Sequence, residues 1–151
     1  MMKSIMMAWA VLLLVAGGAQ AGSVKMDVKK TASCGCCQAW VNHLKRSGFE
    51  VATENMAFGA LAQFKRKHGI GAEHQSCHTG RVAGYVIEGH VPAREVARLL
   101  KEQPDAIGLS VPGMPIGSPG MEVGAARDAY SVLLLKKDGS TEVFASYDAK
   151  P

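Results

Sequence analysis

Val24-Lys-Met-Asp-Val28, Thr31-Ala-Ser-Cys-Gly-Cys-Cys37, Gln38 to Ser47, and Phe49-Glu-Val-Ala-Thr53 follow one another and decide the fold. The first stretch alternates apolar and polar side chains and reads as a strand. The second is a turn. The third sets Trp40, Val41 and Leu44 at helical spacing, and Gly48 ends it as a C-cap residue. The fourth is a second short strand. Strand, turn, helix and strand within about 30 residues match the size of a parallel crossover unit.

Toward the C-terminus, Phe58 to His68 is predicted to be a helix with Leu61 and Phe64 on its apolar face. Ile70 to Gly80 reads as a polar loop. Arg81 to Ile87 is expected to be one strand, with Glu88-Gly89 as its hairpin turn. Pro92 suits the first turn of a third helix, Ala93 to Glu102, whose inner face is Val96, Leu99 and Leu100. Gln103 to Tyr130 shows little periodicity. Its centre, Val111 to Glu122, holds three prolines, three glycines and both Met114 and Met121. A loop this long in a compact domain is usually functional or mobile. Ser131 to Leu135 and Thr141 to Ala145 flank Asp138-Gly139, a β-hairpin signal. These elements predict an α/β, thioredoxin-like fold: a central mixed sheet flanked by helices, with a long Pro/Gly/Met loop and a C-terminal hairpin.

Toward the N-terminus, Lys3 precedes an uninterrupted apolar run from Ile5 to Ala16, then Gly17-Gly18 and Ala19-Gln20-Ala21. This is the pattern of a secretory signal peptide cut after Ala21. The run is too short for a spanning helix, which needs about 20 apolar residues. The expected organisation is residues 1–21 as signal peptide and 22–151 as one domain, with no membrane span after cleavage. At 48% hydrophobic the chain has enough apolar residues for a core. Its net charge is +4 with both signs interspersed, and Lys65-Arg66-Lys67 is the densest basic cluster. Nucleic acid is therefore not expected as a partner, since phosphate binding needs a concentrated basic face.

Four cysteines carry the chemistry: Cys34, Cys36, Cys37 and Cys77. Cys34 and Cys37 form a C-x-x-C between a strand and a helix, where a thioredoxin-like redox pair sits. Amides at a helix N-terminus favour anions, so thiolates are more available there. Cys36 fits dithiol catalysis poorly, because a third sulfur invites mispairing. A soft monovalent metal gains from it: Cu(I) prefers sulfur, and thiolates can bridge two ions. Zinc could take four cysteines, but its usual framework has two separated C-x-x-C knuckles. Adjacent Cys36 and Cys37 cannot bridge each other without strain. In a thioredoxin-like layout the loop bearing Cys77 faces the C-x-x-C turn. Cys77 then offers a fourth sulfur, with His78 beside it as a nitrogen ligand. His43, His68, His74 and His90 read as surface or packing residues. Met114 and Met121 are thioethers suited to Cu(I), on a loop able to fold over the cysteines.

Cys34-Gly-Cys-Cys37 with Trp40, Ser76-Cys-His-Thr79, Gly84 to Pro92, Val111-Pro-Gly-Met-Pro115 and Gly117 to Glu122 together resemble the exported bacterial CopG copper-resistance family. The resemblance spans about Val24 to Tyr147. It implies a thioredoxin-like fold in the periplasm that binds several copper ions, Cu(I) or Cu(II), through cysteine thiolates. It also implies a role in copper resistance, by interconverting the two oxidation states, alongside other periplasmic copper-handling proteins. The matching ligands are Cys34, Cys36, Cys37 and Cys77, with His78, Met114 and Met121 following. Two other readings stay open: a thiol–disulfide oxidoreductase using Cys34 and Cys37, and a zinc-binding structural module.

Overall fold

The computed structural model describes residues 23–151; the proposed signal peptide lies outside them. One seven-stranded mixed sheet and three helices make up the described chain. In chain order the elements are β1 (Lys25–Lys30), α1 (Gly35–Arg46), β2 (Glu50–Asn55), α2 (Phe58–Lys67), a 3-10 turn (Ala72–His74), β3 (Thr79–Val82) and β4 (Tyr85–Glu88). They continue as α3 (Ala93–Glu102), β5 (Gly108–Ser110), β6 (Tyr130–Leu135) and β7 (Thr141–Tyr147). The strand order is β2-β1-β3-β4-β5-β6-β7. β1 and β2 run parallel, β3 runs antiparallel to both β1 and β4, and β5 returns parallel to β4. The mixed α/β class is as expected, and the β2-β1-β3-β4 arrangement fits the thioredoxin-like expectation.

β1 buries Met26 and Val28 on one face, as its alternation requires. α1 meets them with Trp40, Val41 and Leu44, and α3 adds Val96 and Leu99 to the same core. Ile87 joins this core too. Glu88, next along β4, therefore points to the other face of the sheet, where Lys65 of α2 meets it. Among the described residues no helix is long and apolar enough to cross a membrane.

Two expectations require correction. Arg81 to Ile87 is not one strand, and its turn is not Glu88-Gly89. The hairpin turns instead at Ala83-Gly84, with φ of +47° and +88°. A two-residue turn with both φ values positive is the type that matches strand twist. Ala-Gly lacks the Asn or Asp that usually announces it, so the segment reads as unbroken. The second correction is β5, inside the stretch that shows little periodicity. It has three residues, all buried between β4 and β6, so no alternation marks it.

Candidate metal centre

α1 begins earlier than its apolar spacing indicates, and this places the sulfurs. Cys34 is the N-cap residue, and its Sγ accepts from the Cys37 backbone N at 3.3 Å. A sulfur thus stands where Ser or Asp usually satisfies a free helix amide. Cys36 and Cys37 follow on the first turn. Cys34 and Cys37 are joined as a disulfide with a Cα–Cα distance of 5.3 Å, while Cys36 and Cys77 are free thiols.

The open end of the β3–β4 hairpin supplies the rest. Counting outward from Ala83-Gly84, Val82 faces Tyr85 and Thr79 faces Glu88. One step further Gly89 N donates to His78 O at 3.1 Å. The next step sets Cys77 against His90, whose Nε2 lies 3.2 Å from Cys77 Sγ. Cys77 Sγ is also 3.8 Å from Cys36 Sγ, and Cys36 Sγ is 3.5 Å from Cys34 Sγ. The ligand atoms of Cys34, Cys36, Cys37 and Cys77 all lie within 4.8 Å of one another, and so do those of Cys77, His78 and His90. Cys77 is the vertex shared by the two groups.

Each imidazole turns one free nitrogen toward Cys77. His78 Nε2 donates to Gly89 O at 2.9 Å, which leaves Nδ1, 3.4 Å from Cys77 Sγ, as the free nitrogen. His90 Nδ1 donates to Pro119 O at 2.8 Å, leaving Nε2 free toward the same sulfur. A carbonyl that takes one ring proton fixes the tautomer and aims the other nitrogen. Burial holds His78 well below its usual range, helped by His90 and Lys65, and burial also lowers His90. Both rings are therefore neutral, the form that binds metal. Burial, then the neighbouring Cys36, pushes the Cys77 thiol up to about 12. A metal bound at Cys77 would accordingly displace a proton.

The segment after β5 closes the site from above. Val111 N donates to Glu88 O at 3.0 Å, Gly113 N donates to Gln75 O at 3.1 Å, and Ser76 Oγ donates to Gly113 O. Gly120 has φ of +88°, and a Cβ there would meet Trp40 N at 2.7 Å and Cys36 O at 2.8 Å. Only glycine allows this strap to lie so close on the first turn of α1. Met114 and Met121 both ride on the strap, Met114 exposed and Met121 half-buried. Beneath the site, Trp40 packs against His78 at 4.3 Å between centroids with the rings tilted by 34°, and its Nε1 donates to Val91 O at 2.8 Å.

Behind Cys77 lies a buried ion pair. Glu88 Oε1 accepts from Lys65 Nζ at 2.5 Å and from Ser76 N at 2.7 Å. Glu88 Oε2 accepts from Thr79 Oγ1 at 2.6 Å. Burial raises the Glu88 carboxyl, and Lys65 pulls against it. Desolvating such a pair costs several kcal/mol per ion, which attraction offsets only when every remaining lone pair finds a donor.

The structure brings Cys34, Cys36, Cys37 and Cys77 together and sets His78 beside Cys77. His90 is the residue that sequence reasoning missed; it is buried, yet its free nitrogen faces the site. The hairpin register was the signal that finds it. As a donor set, thiolate sulfur with neutral imidazole suits Cu(I), and zinc less selectively.

Residues 74–121 match a family described as "Protein of unknown function, DUF411". No curated protein sequence matches the chain. Two solved structures, described as copper resistance protein CopG in form 1 and form 2, are each 42% identical to it. Each match covers 83% of this chain and 98% of the other, with TM-scores of 0.79 and 0.77. At that identity and coverage, with the sulfur cluster in place, the chain belongs to the CopG family of copper resistance proteins.

Proposed function

We propose that this chain is an exported periplasmic protein that binds several copper ions on Cys34, Cys36, Cys37 and Cys77 and serves copper resistance. The observation that carries this reading is the convergence of four sulfurs within 4.8 Å. Once the Cys34–Cys37 disulfide is reduced, four sulfurs this close would repel one another as thiolates, and monovalent copper ions held among them would relieve that repulsion. His78 and His90 supply nitrogen at Cys77, and Met114 and Met121 supply thioethers from the strap. The Cys34–Cys37 pair exchanges two electrons between disulfide and dithiol, which matches two one-electron Cu(I)/Cu(II) changes. Copper supplies the one-electron chemistry; the protein gathers the sulfurs and aims the imidazoles.

Competition between the reduced protein and a calibrated Cu(I) chelator tests the reading. More than one Cu(I) per chain, held in preference to Zn(II), is expected. One zinc and no copper would sink it. Export is tested by intact mass, with Gly22 expected as the first residue of protein recovered from the periplasm.

A second reading has an observation of its own. The disulfide joins the two ends of a C-x-x-C at a helix N-terminus, as in a dithiol oxidoreductase. That reading makes Cys34 the attacking thiol and Cys37 the resolving one. It predicts that Cys36→Ser leaves thiol–disulfide exchange intact and that copper tolerance does not depend on Cys36.

A further inference from the structure

The Lys65–Glu88 pair holds no place in the sulfur chemistry above, yet it is built against the segment that carries Cys77. Lys65 is 4% exposed and Glu88 fully buried. An apolar pair of similar volume would fill the same space without the loss of hydration, and often with gain in stability. It could not hold a backbone amide. Glu88 does hold one: Ser76 N, immediately before Cys77 and outside any strand. The same carboxylate takes Thr79 Oγ1 on the far side of Cys77 and His78. Lys65 Nζ bonds both Glu88 Oε1, at 2.5 Å, and Thr79 Oγ1, at 2.9 Å. The dipeptide Cys77-His78 is therefore bracketed by two bonds to one buried side chain.

Packing alone does not secure this segment. A cavity of about 170 Å³ lies beside it, lined by Thr31, Leu61, Lys65, Ser76 and Cys77 among others. The segment has room to move into that space. At stake is the Cys36 Sγ to Cys77 Sγ approach of 3.8 Å, which joins the helix sulfurs to the hairpin sulfur. A metal site needs its ligands held within about 0.5 Å, which requires supporting bonds behind them.

We propose that the Lys65–Glu88 pair is a positioning device: Glu88 clamps the Ser76 amide and Thr79, Lys65 holds Glu88 in place, and Cys77 is thereby kept against Cys36. The inference rests on reading the four-cysteine cluster as a copper site, but its test does not need copper. In the full chain carrying Cys34→Ser and Cys37→Ser, Cys36 and Cys77 are the remaining thiols. A short bifunctional thiol-alkylating reagent then reports whether the two sulfurs meet. Lys65→Met with Glu88→Leu removes the clamp. Lys65→Met with Glu88→Gln removes the charges but keeps an amide oxygen to accept from Ser76 N.

The cross-link yield is expected to fall severalfold in the Leu variant and to return to the parent level in the Gln variant, with both proteins folded by thermal unfolding. With all four cysteines present, Cu(I) affinity should fall about 10–100-fold in the Leu variant, the usual loss when a ligand's outer partner is removed. Equal cross-linking in parent, Leu and Gln variants overturns the proposal. If the Leu variant does not fold, hydrogen exchange at the Ser76 amide of the unaltered chain decides. Protection of at least about 100-fold supports the clamp, and exchange at the free-peptide rate overturns it. If cross-linking follows the clamp while no form of the protein takes up copper, the positioning role stands and the copper reading falls.

Discussion

The N-terminus of α1 and the open end of the β3–β4 hairpin bring sulfur and imidazole side chains to the same spot by opposite means. The helix end does so locally. Three sulfurs sit within four residues, and any helix starting near Cys34 gathers them. The hairpin end does so through register. Cys77 and His90 are 13 residues apart and meet because the turn falls at Ala83-Gly84. A one-residue slip there would send every side chain of β4 to the opposite face. The helix half is robust to tertiary detail, whereas the hairpin half exists only when the pairing is right. This difference explains why the polar supports, Glu88 to Ser76 and the strap to His90, are all found on the hairpin side.

The largest expected effect comes from removing the atom that touches both halves. Cys36→Ser should lose more than about half of the bound copper, because a hard neutral hydroxyl replaces a soft anionic ligand at the junction. Thermal unfolding should hardly move, since Cys36 lies outside the apolar core. Copper per chain and growth under copper are the measurements. Full loading and full tolerance would hand the site to the oxidoreductase reading.

His90→Ala breaks the hairpin half alone. It should lower Cu(I) affinity at least about tenfold, because it removes a nitrogen ligand and even the loss of a ligand's outer partner costs that much. It should also cost about 1–3 kcal/mol of stability, because Pro119 O loses its buried donor. The same substitution at His68, which bonds the carbonyl of Phe64 on α2, should leave copper affinity unchanged. If both histidines behave alike, the register argument fails.

Gly120→Ala separates the strap from the helix end. Its Cβ would press on Trp40 N and Cys36 O, in a backbone conformation that suits glycine. A destabilisation of about 1–3 kcal/mol by denaturant titration is expected. A comparable loss, about 1–3 kcal/mol, is predicted for Trp40→Phe, which gives up the bond to Val91 O and leaves a void where the wider indole packed. No change in stability would mean that neighbours refill the void and Val91 O finds another donor.

Much of this was legible in the residues, and the exceptions have physical causes. Alternation in β1 and apolar spacing in α1 and α3 reflect burial on one face, which leaves its mark within each element. The cysteine turn reads directly because helix-end chemistry is local. β5 escaped because three buried residues carry no period. The hairpin turn escaped because Ala83 adopts positive φ where Asn or Asp would signal it. His90 was lost with that turn: assigned to the far side of a misplaced bend, it had no route to Cys77. Lys65 sits on a helix face that should be apolar, and only its partner Glu88 explains it.

Trp40 has a practical consequence. The sequence holds two tryptophans, Trp9 and Trp40, and a chain beginning at Gly22 keeps only the second. Its indole is fully buried and packs, at a 34° tilt, against the His78 ring beside Cys77. The emission of this one chromophore should therefore be blue-shifted and sensitive to an ion held at Cys77. Copper uptake should dim it without any label, ion by ion, in real time. The protein carries its own optical gauge, and the Cys36, His90 and Glu88 variants can all be read with it.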